Sequence, residues 1–221
     1  MRDIPINNPY VKEALNNFLW YYENKDLVMK TIRPDGGENK RKDFTSKEYC
    51  DKIVSMGQAH NGYPESIYTY PLKGDKLESN IKDNTHAAEL IKRYSDYNTE
   101  LCSILCTKNN ALTTMYPPNG FIGWHNNANA SAYNLIFSWS ETGDGLFQYI
   151  DGETGDNIIM KDKKGWQCKA GYFGSYKEHQ SKLVYHSAET DCWRMTISYM
   201  FNRTEMSSNI QEETIEEIMY I

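Results

Sequence analysis

Two textures of hydrophobic patterning divide this chain of 221 residues. In the first half apolar positions recur three or four residues apart, the period of one helix face. Over 7–31, Asn7-Asn8-Pro9 makes a capped, proline-primed start, and Val11, Leu15, Leu19 and Trp20 continue the stripe, predicting a helix. A second is predicted from a Thr45 or Ser46 cap through Ile53 and Met56, and a third over 84–105 on Ala87, Leu90, Ile91, Tyr94, Leu101 and Leu105. After Asn110 the period changes: short β-rich runs at 111–116, 133–140, 146–150, 157–160, 171–174, 183–186 and 195–202 are separated by Gly, Asn and Asp. Many short strands at close spacing suggest a barrel or sandwich, so the fold class is α+β. The expected organisation is a helical buttress at 1–110, a β core at 111–203 and an acidic, weakly helical tail at 204–221, within one compact domain.

Between the first two helices, the 33–43 segment combines turn residues with Lys40, Arg41 and Lys42. It reads as a solvated loop, or as a lid over an entrance that touches a negatively charged substrate.

Composition narrows the function classes. Hydrophobic residues make up 39%, enough for a core, and the formal net charge of -6 gives no broad footprint for nucleic acid. No apolar run is long enough to span a bilayer and the first residues lack a signal-peptide core, which predicts a cytoplasmic protein without membrane contact. Cys50, Cys102, Cys106, Cys168 and Cys192 are odd in number with no CxxC pair, so free thiols are expected. The absence of a GxSxG elbow argues against nucleophilic hydrolysis.

The candidate chemistry lies in the β-rich half. His125 follows the turn-and-strand segment 116–124, His186 ends the run Leu183-Val184-Tyr185, and Arg194 opens the apolar strand Met195–Phe201. Two histidines on neighbouring strands can hold a divalent metal with positions left open, and an inward Arg on the next strand can pair with a carboxylate. Each has a bland alternative: a hydrogen-bonded strand-end His, or a surface Arg. His179 sits in a polar loop, Arg203 lies past the last strand, and nothing singles out His60 or His86. Trp124, Trp139 and Trp166 either line a substrate mouth or pack inside the barrel.

In order, the segment 116–124, His125-Asn126-Asn127, the strand 133–139, the hairpin Gly143-Asp144-Gly145, the turn 169–173, His186 and Arg194 resemble the Fe(II)/2-oxoglutarate-dependent oxygenases, in particular the prolyl-4-hydroxylase-like branch. The stretch 116–139 is also similar to oxygenase-like proteins encoded by tailed phages of marine bacteria. The resemblance covers 111–202 and implies a double-stranded β-helix (jelly-roll, cupin-like) core. It implies His125 and His186 as ligands of Fe(II) and Arg194 on the distal carboxylate of 2-oxoglutarate; Tyr133 either lends its hydroxyl to the co-substrate carboxylate or packs as a core Tyr. The implied reaction consumes 2-oxoglutarate and O₂, releases succinate and CO₂, and hydroxylates an unactivated C–H bond. A protein side chain or amino-acid-like substrate is favoured over nucleic acid.

The family pattern has an acid two residues after the first His, where this chain has Asn127. Four readings stay open: Asn127 as a neutral third ligand, a carboxylate arriving from Asp144 or Glu141, a two-histidine site completed by water or halide, or a domain without catalysis that only binds. A cupin-like metalloenzyme that uses no 2-oxoglutarate is a further rival.

Overall fold

The computed structural model describes residues 1–37, 41–107, 110–202 and 208–220. Lys40 and Arg203 lie outside the described residues. The helical stripe at the start of the chain forms three short helices: α1 (Pro9–Asn17), α2 (Leu19–Glu23) and α3 (Lys25–Thr31). Asn8 caps α1, its Oδ1 accepting from the amides of Tyr10 at 2.8 Å and Val11 at 3.4 Å. The single helix expected over 7–31 breaks at Phe18 and again at Asn24, whose amide group donates back to the Trp20 carbonyl at 2.9 Å and competes with the backbone for it.

Next come α4 (Arg41–Thr45), α5 (Lys47–Met56, with Ser46 as the capping residue), α6 (Gly74–Ser79), α7 (Ala87–Ile104) and, near the end, α8 (Ser208–Met219). Arg41 does not belong to a free lid. Its guanidinium pairs with Glu189, at 3.1 Å, and with Asp191, pinning α4 to the sheet.

Eight strands make the β core: β4 (Asn110–Tyr116), β5 (Phe121–His125), β6 (Ala132–Ser140), β7 (Gly145–Ile150), β8 (Asn157–Lys161), β9 (Gly165–Phe173), β10 (His186–Thr190) and β11 (Arg194–Asn202). Their order is β9-β6-β11-β4 in one sheet and β5-β10-β7-β8 in the other, antiparallel throughout. This alternation is that of a double-stranded β-helix, the jelly-roll core expected.

The 1–110 region is more than a buttress. β1 (Arg2–Ile4) pairs with β9, and β3 (Ile67–Pro71) lies between β4 and β5, joining the two sheets, with β2 (Asp35–Gly36) on its margin. These runs are too short and too isolated among helices to show strand periodicity in the sequence. β5 is consequently an interior strand, between β3 and β10.

Strand parity decides where core ends and cavity begins. On β11, Met195, Ile197, Tyr199 and Phe201 face the helices and join Leu135 and Phe137 of β6, Ala170 of β9 and Leu15, Phe18, Leu90 and Leu101 in the main core. Each fully buried Leu, Ile, Met or Phe side chain among them contributes about 1.5–3 kcal/mol. The alternate positions, Arg194, Thr196 and Ser198 on β11 with Asn134 on β6, face the space between the sheets. That inner face is polar, and it lines a cavity. All five cysteines are free, and among the described residues no helix is long and apolar enough to cross a membrane.

Candidate functional site

β5 places its last residue by anchoring the one before it. Trp124 is fully buried and its indole N–H donates to the Thr45 carbonyl at 3.0 Å, so the alternation of the strand turns His125 towards the cavity. His186 opens β10 directly opposite His125 in the antiparallel register, and directly opposed residues present side chains on the same face. The two ring centroids are 4.1 Å apart, with the planes inclined at 51°. Phe173 and Phe147 flank the His186 ring at 4.7 and 5.8 Å.

Each imidazole is oriented by its own strand. His125 Nδ1 lies 2.9 Å from the Gly123 carbonyl and His186 Nδ1 lies 2.9 Å from the Val184 carbonyl. A carbonyl oxygen only accepts, so Nδ1 carries the hydrogen in both rings and Nε2 keeps its lone pair. Burial, reinforced by the neighbouring His186, holds His125 well below the ordinary histidine range, and burial takes His186 down to about 4. Both rings are therefore neutral at pH 7.

This has a sign that can be tested. The unfolded chain takes up protons near pH 6.5 and the folded chain does not, so stability is complete above pH 6.5 and falls as the pH is lowered towards 4. For His186 alone the loss is about 3 kcal/mol. Urea unfolding of the metal-free protein from pH 7 to pH 4 should show it, and a flat profile would contradict the buried neutral rings.

At the other end of the cavity, Arg194 is 1% exposed. Its Nε donates to Asp162 Oδ2 at 2.6 Å, its NH1 donates to Thr196 Oγ1 at 2.5 Å, and its guanidinium lies 4.9 Å from the centre of the Tyr116 ring. Tyr116 and Thr196 both line the cavity beside it. Asp162 stands on the β8–β9 turn, close against Gly145, where a Cβ would come within 2.6 Å of the carboxylate. This close approach explains the glycine of the Gly143-Asp144-Gly145 hairpin. Gly145 pairs with Thr190, four residues along β10 from His186, so the two ends of the site are roughly 14 Å apart along the strand.

One cavity of about 910 Å³ joins these ends and contains His125, His186, Asn127 and Arg194 on its walls, with a mouth at Tyr63, Lys73 and Lys76. Asp35, from the segment expected to cover the entrance, also borders it. Asn127 is half-buried on a loop fixed by its neighbour: Asn126 Oδ1 accepts from the Ala128 amide at 2.8 Å and Asn126 Nδ2 donates to the Tyr176 hydroxyl at 2.9 Å.

Several expectations change. Tyr133 shares the parity of Leu135 and Phe137, packs against the helix-facing core and does not line the cavity, which β6 lines instead with Asn134 and Ile136. Glu141 accepts from the Tyr22 hydroxyl at 2.5 Å, and Asp144 accepts from Thr142 at the far end of β7 from His186, so neither carboxylate lines the cavity. His179 is exposed and bonded to Ser181. The three tryptophans pack on hydrophobic cores. Sequence reasoning missed Tyr116, Thr196 and Asp162, whose roles depend on pairing across strands.

Among the described residues no group of three His, Cys, Asp or Glu side chains is placed to hold a metal ion. Beside the two neutral imidazoles the cavity wall carries the Asn127 amide, while its carboxylates, Asp35 and Asp75, belong to the mouth. Paired neutral rings with centroids 4.1 Å apart, each with Nδ1 turned to a backbone carbonyl, suit one divalent ion as shared imidazole donors.

No protein-family model and no curated protein matches this chain. Solved structures similar to it include a prolyl-4-hydroxylase from Pseudomonas putida, 10% identical over 84% of this chain and 100% of that one with a TM-score of 0.35. The ribosomal oxygenase YcfD from Escherichia coli is 15% identical over 60% of this chain and 34% of that one, TM-score 0.29. A predicted oxalate decarboxylase from Thermotoga maritima is 17% identical over 42% and 69% of the two chains, TM-score 0.25.

Proposed function

We propose that the chain is a non-haem Fe(II)- and 2-oxoglutarate-dependent dioxygenase that hydroxylates a C–H bond. The observation that carries this reading is the pair of neutral, carbonyl-oriented imidazoles, His186 buried and His125 half-buried, in one cavity with a buried guanidinium. Fe(II), when bound, supplies the activation of O₂ that couples decarboxylation of 2-oxoglutarate to succinate and CO₂ with oxidation of the substrate.

His125 and His186 would hold the metal through Nε2, their tautomers set in advance by Gly123 and Val184. Asn127 would offer an amide oxygen as a neutral third donor. Arg194 would bind the distal carboxylate of the co-substrate, with the Thr196 and Tyr116 hydroxyls beside it. Phe147 and Phe173 keep water away from the His186 ring. The mouth brings together Lys73, Lys76, Asp35 and Asp75. Charges of both signs suit an amino-acid-like molecule or a protein side chain rather than a polyanion.

Among the described residues no carboxylate stands on the cavity wall beside the histidines, which favours a second reading, a protein that binds a dicarboxylate without oxidising anything. Anaerobic titration with Fe(II) and 2-oxoglutarate separates the two. The enzyme develops a weak visible charge-transfer band and, on admission of O₂, forms succinate; a chain that does neither is the binder.

A further inference from the structure

The floor beneath Arg194 contains a second cation that does not reach the cavity. Lys169, on the inward parity of β9, is 1% exposed and is absent from the cavity wall. Its Nζ stands 3.8 Å from Asp162 Oδ1 and donates to Gln167 Oε1 at 3.2 Å. Asp162 Oδ2 is taken by Arg194 at 2.6 Å, while Asp162 Oδ1 has no hydrogen-bond partner. The side chains of all three groups are almost completely out of water.

With Lys169 protonated this tier has two cations and one carboxylate; burial pushes the Lys169 ammonium down from the ordinary lysine range, and the Asp162 carboxylate pulls it back up. A buried unbalanced charge is costly, and proteins normally pair it. The register also sets Asp3 of β1 opposite Lys169, but Asp3 is exposed and its field is screened by water. The excess of one positive charge lies beneath the end of the cavity where Arg194, Thr196 and Tyr116 converge.

We propose that Lys169 determines the charge specificity of this cavity without touching its ligand: it leaves the Arg194–Asp162 pair one positive charge in excess, which the distal carboxylate of a bound diacid neutralises. This deepens the reading of the site as a 2-oxoglutarate site and rests on it. In the empty protein the same excess is a destabilising feature.

Glutarate, which has the two carboxylates of 2-oxoglutarate but no keto group to chelate a metal, is a suitable probe in the presence of a chelator. Lys169→Met and Lys169→Gln both remove the charge, the second keeping a polar partner for Gln167 and Asp162, so that one misfolded variant does not void the test. Each is expected to bind glutarate at least tenfold more weakly than the wild type, to lose most of the ligand-induced rise in Tm, and yet to melt no lower than the wild type when empty. Lys169→Arg should retain binding.

A merely structural lysine would instead lower the Tm of the empty protein and leave affinity unchanged, which overturns the proposal. Failure of the wild type to bind either glutarate or 2-oxoglutarate would overturn the co-substrate reading itself, and the charge assignment with it. Wild-type binding that persists undiminished in the charge-removing variants overturns the Lys169 assignment alone.

Discussion

Replacing His186 with alanine is expected to abolish Fe(II)-dependent turnover, a loss of at least about 1,000-fold, with the fold intact. Removing even an outer partner of a metal ligand costs about 10–100-fold, and removing one of two imidazoles takes away half of the strong donors. His125→Ala should match it, and the double variant should be no worse than either single one, because ligands of one ion act as a unit. The check is succinate release together with the metal content of the dialysed protein. Turnover surviving in either single variant would reject the ligand assignment. The substitution also removes a group that stays neutral in the fold, so His186→Ala should lose less stability than the wild type between pH 7 and pH 4.

The largest effect on stability is expected at Asp162, a residue that does not line the cavity. Asp162→Asn would leave Arg194 and Lys169 facing each other in a dry site with no counter-charge. Removing one partner of a buried ion pair costs about 3–5 kcal/mol. Adding Lys169→Met restores the original net charge of the tier, so the double variant should regain part of the loss despite carrying two substitutions. Urea denaturation of the ligand-free proteins gives the comparison. A double variant less stable than Asp162→Asn would show that packing around the lysine stem outweighs charge balance.

The helices and strands most accessible from sequence are those whose period continues unbroken. The stripe over 84–105 became α7 (Ala87–Ile104), and Ser46 caps α5 as its position suggested. β4, β6, β7, β8 and β11 lie within a residue or so of the runs that predicted them. β9 was visible only near its C-terminal end, because Gln167 and Lys169 interrupt the apolar alternation, and that interruption is the charged floor itself. β10 was shifted: Ser187-Ala188-Glu189-Thr190 lacks the bulky branched residues that mark a strand, so the run appeared to stop at His186 where the strand begins.

Within the site, the histidines and Arg194 could be found because three rare residues fell in order within one β-rich stretch. The placement of Tyr133 was recoverable too, since Leu135 and Phe137 share its parity and Asn134 and Ser138 do not. Asp162 gave no such signal. In Lys161-Asp162-Lys163-Lys164 it reads as part of a solvated charged turn, and its burial is decided by Arg194, 32 residues further on.

The place of β3 has a consequence for how the molecule can be divided. β3 holds β4 on one side and β5, which ends in His125, on the other. Excising everything before β4 would leave two bare strand margins, one of them on the strand that ends in His125, each a template for pairing with foreign chains. The β-rich half is thus not an autonomous module, and His125 depends for its footing on residues more than fifty positions earlier in the polypeptide.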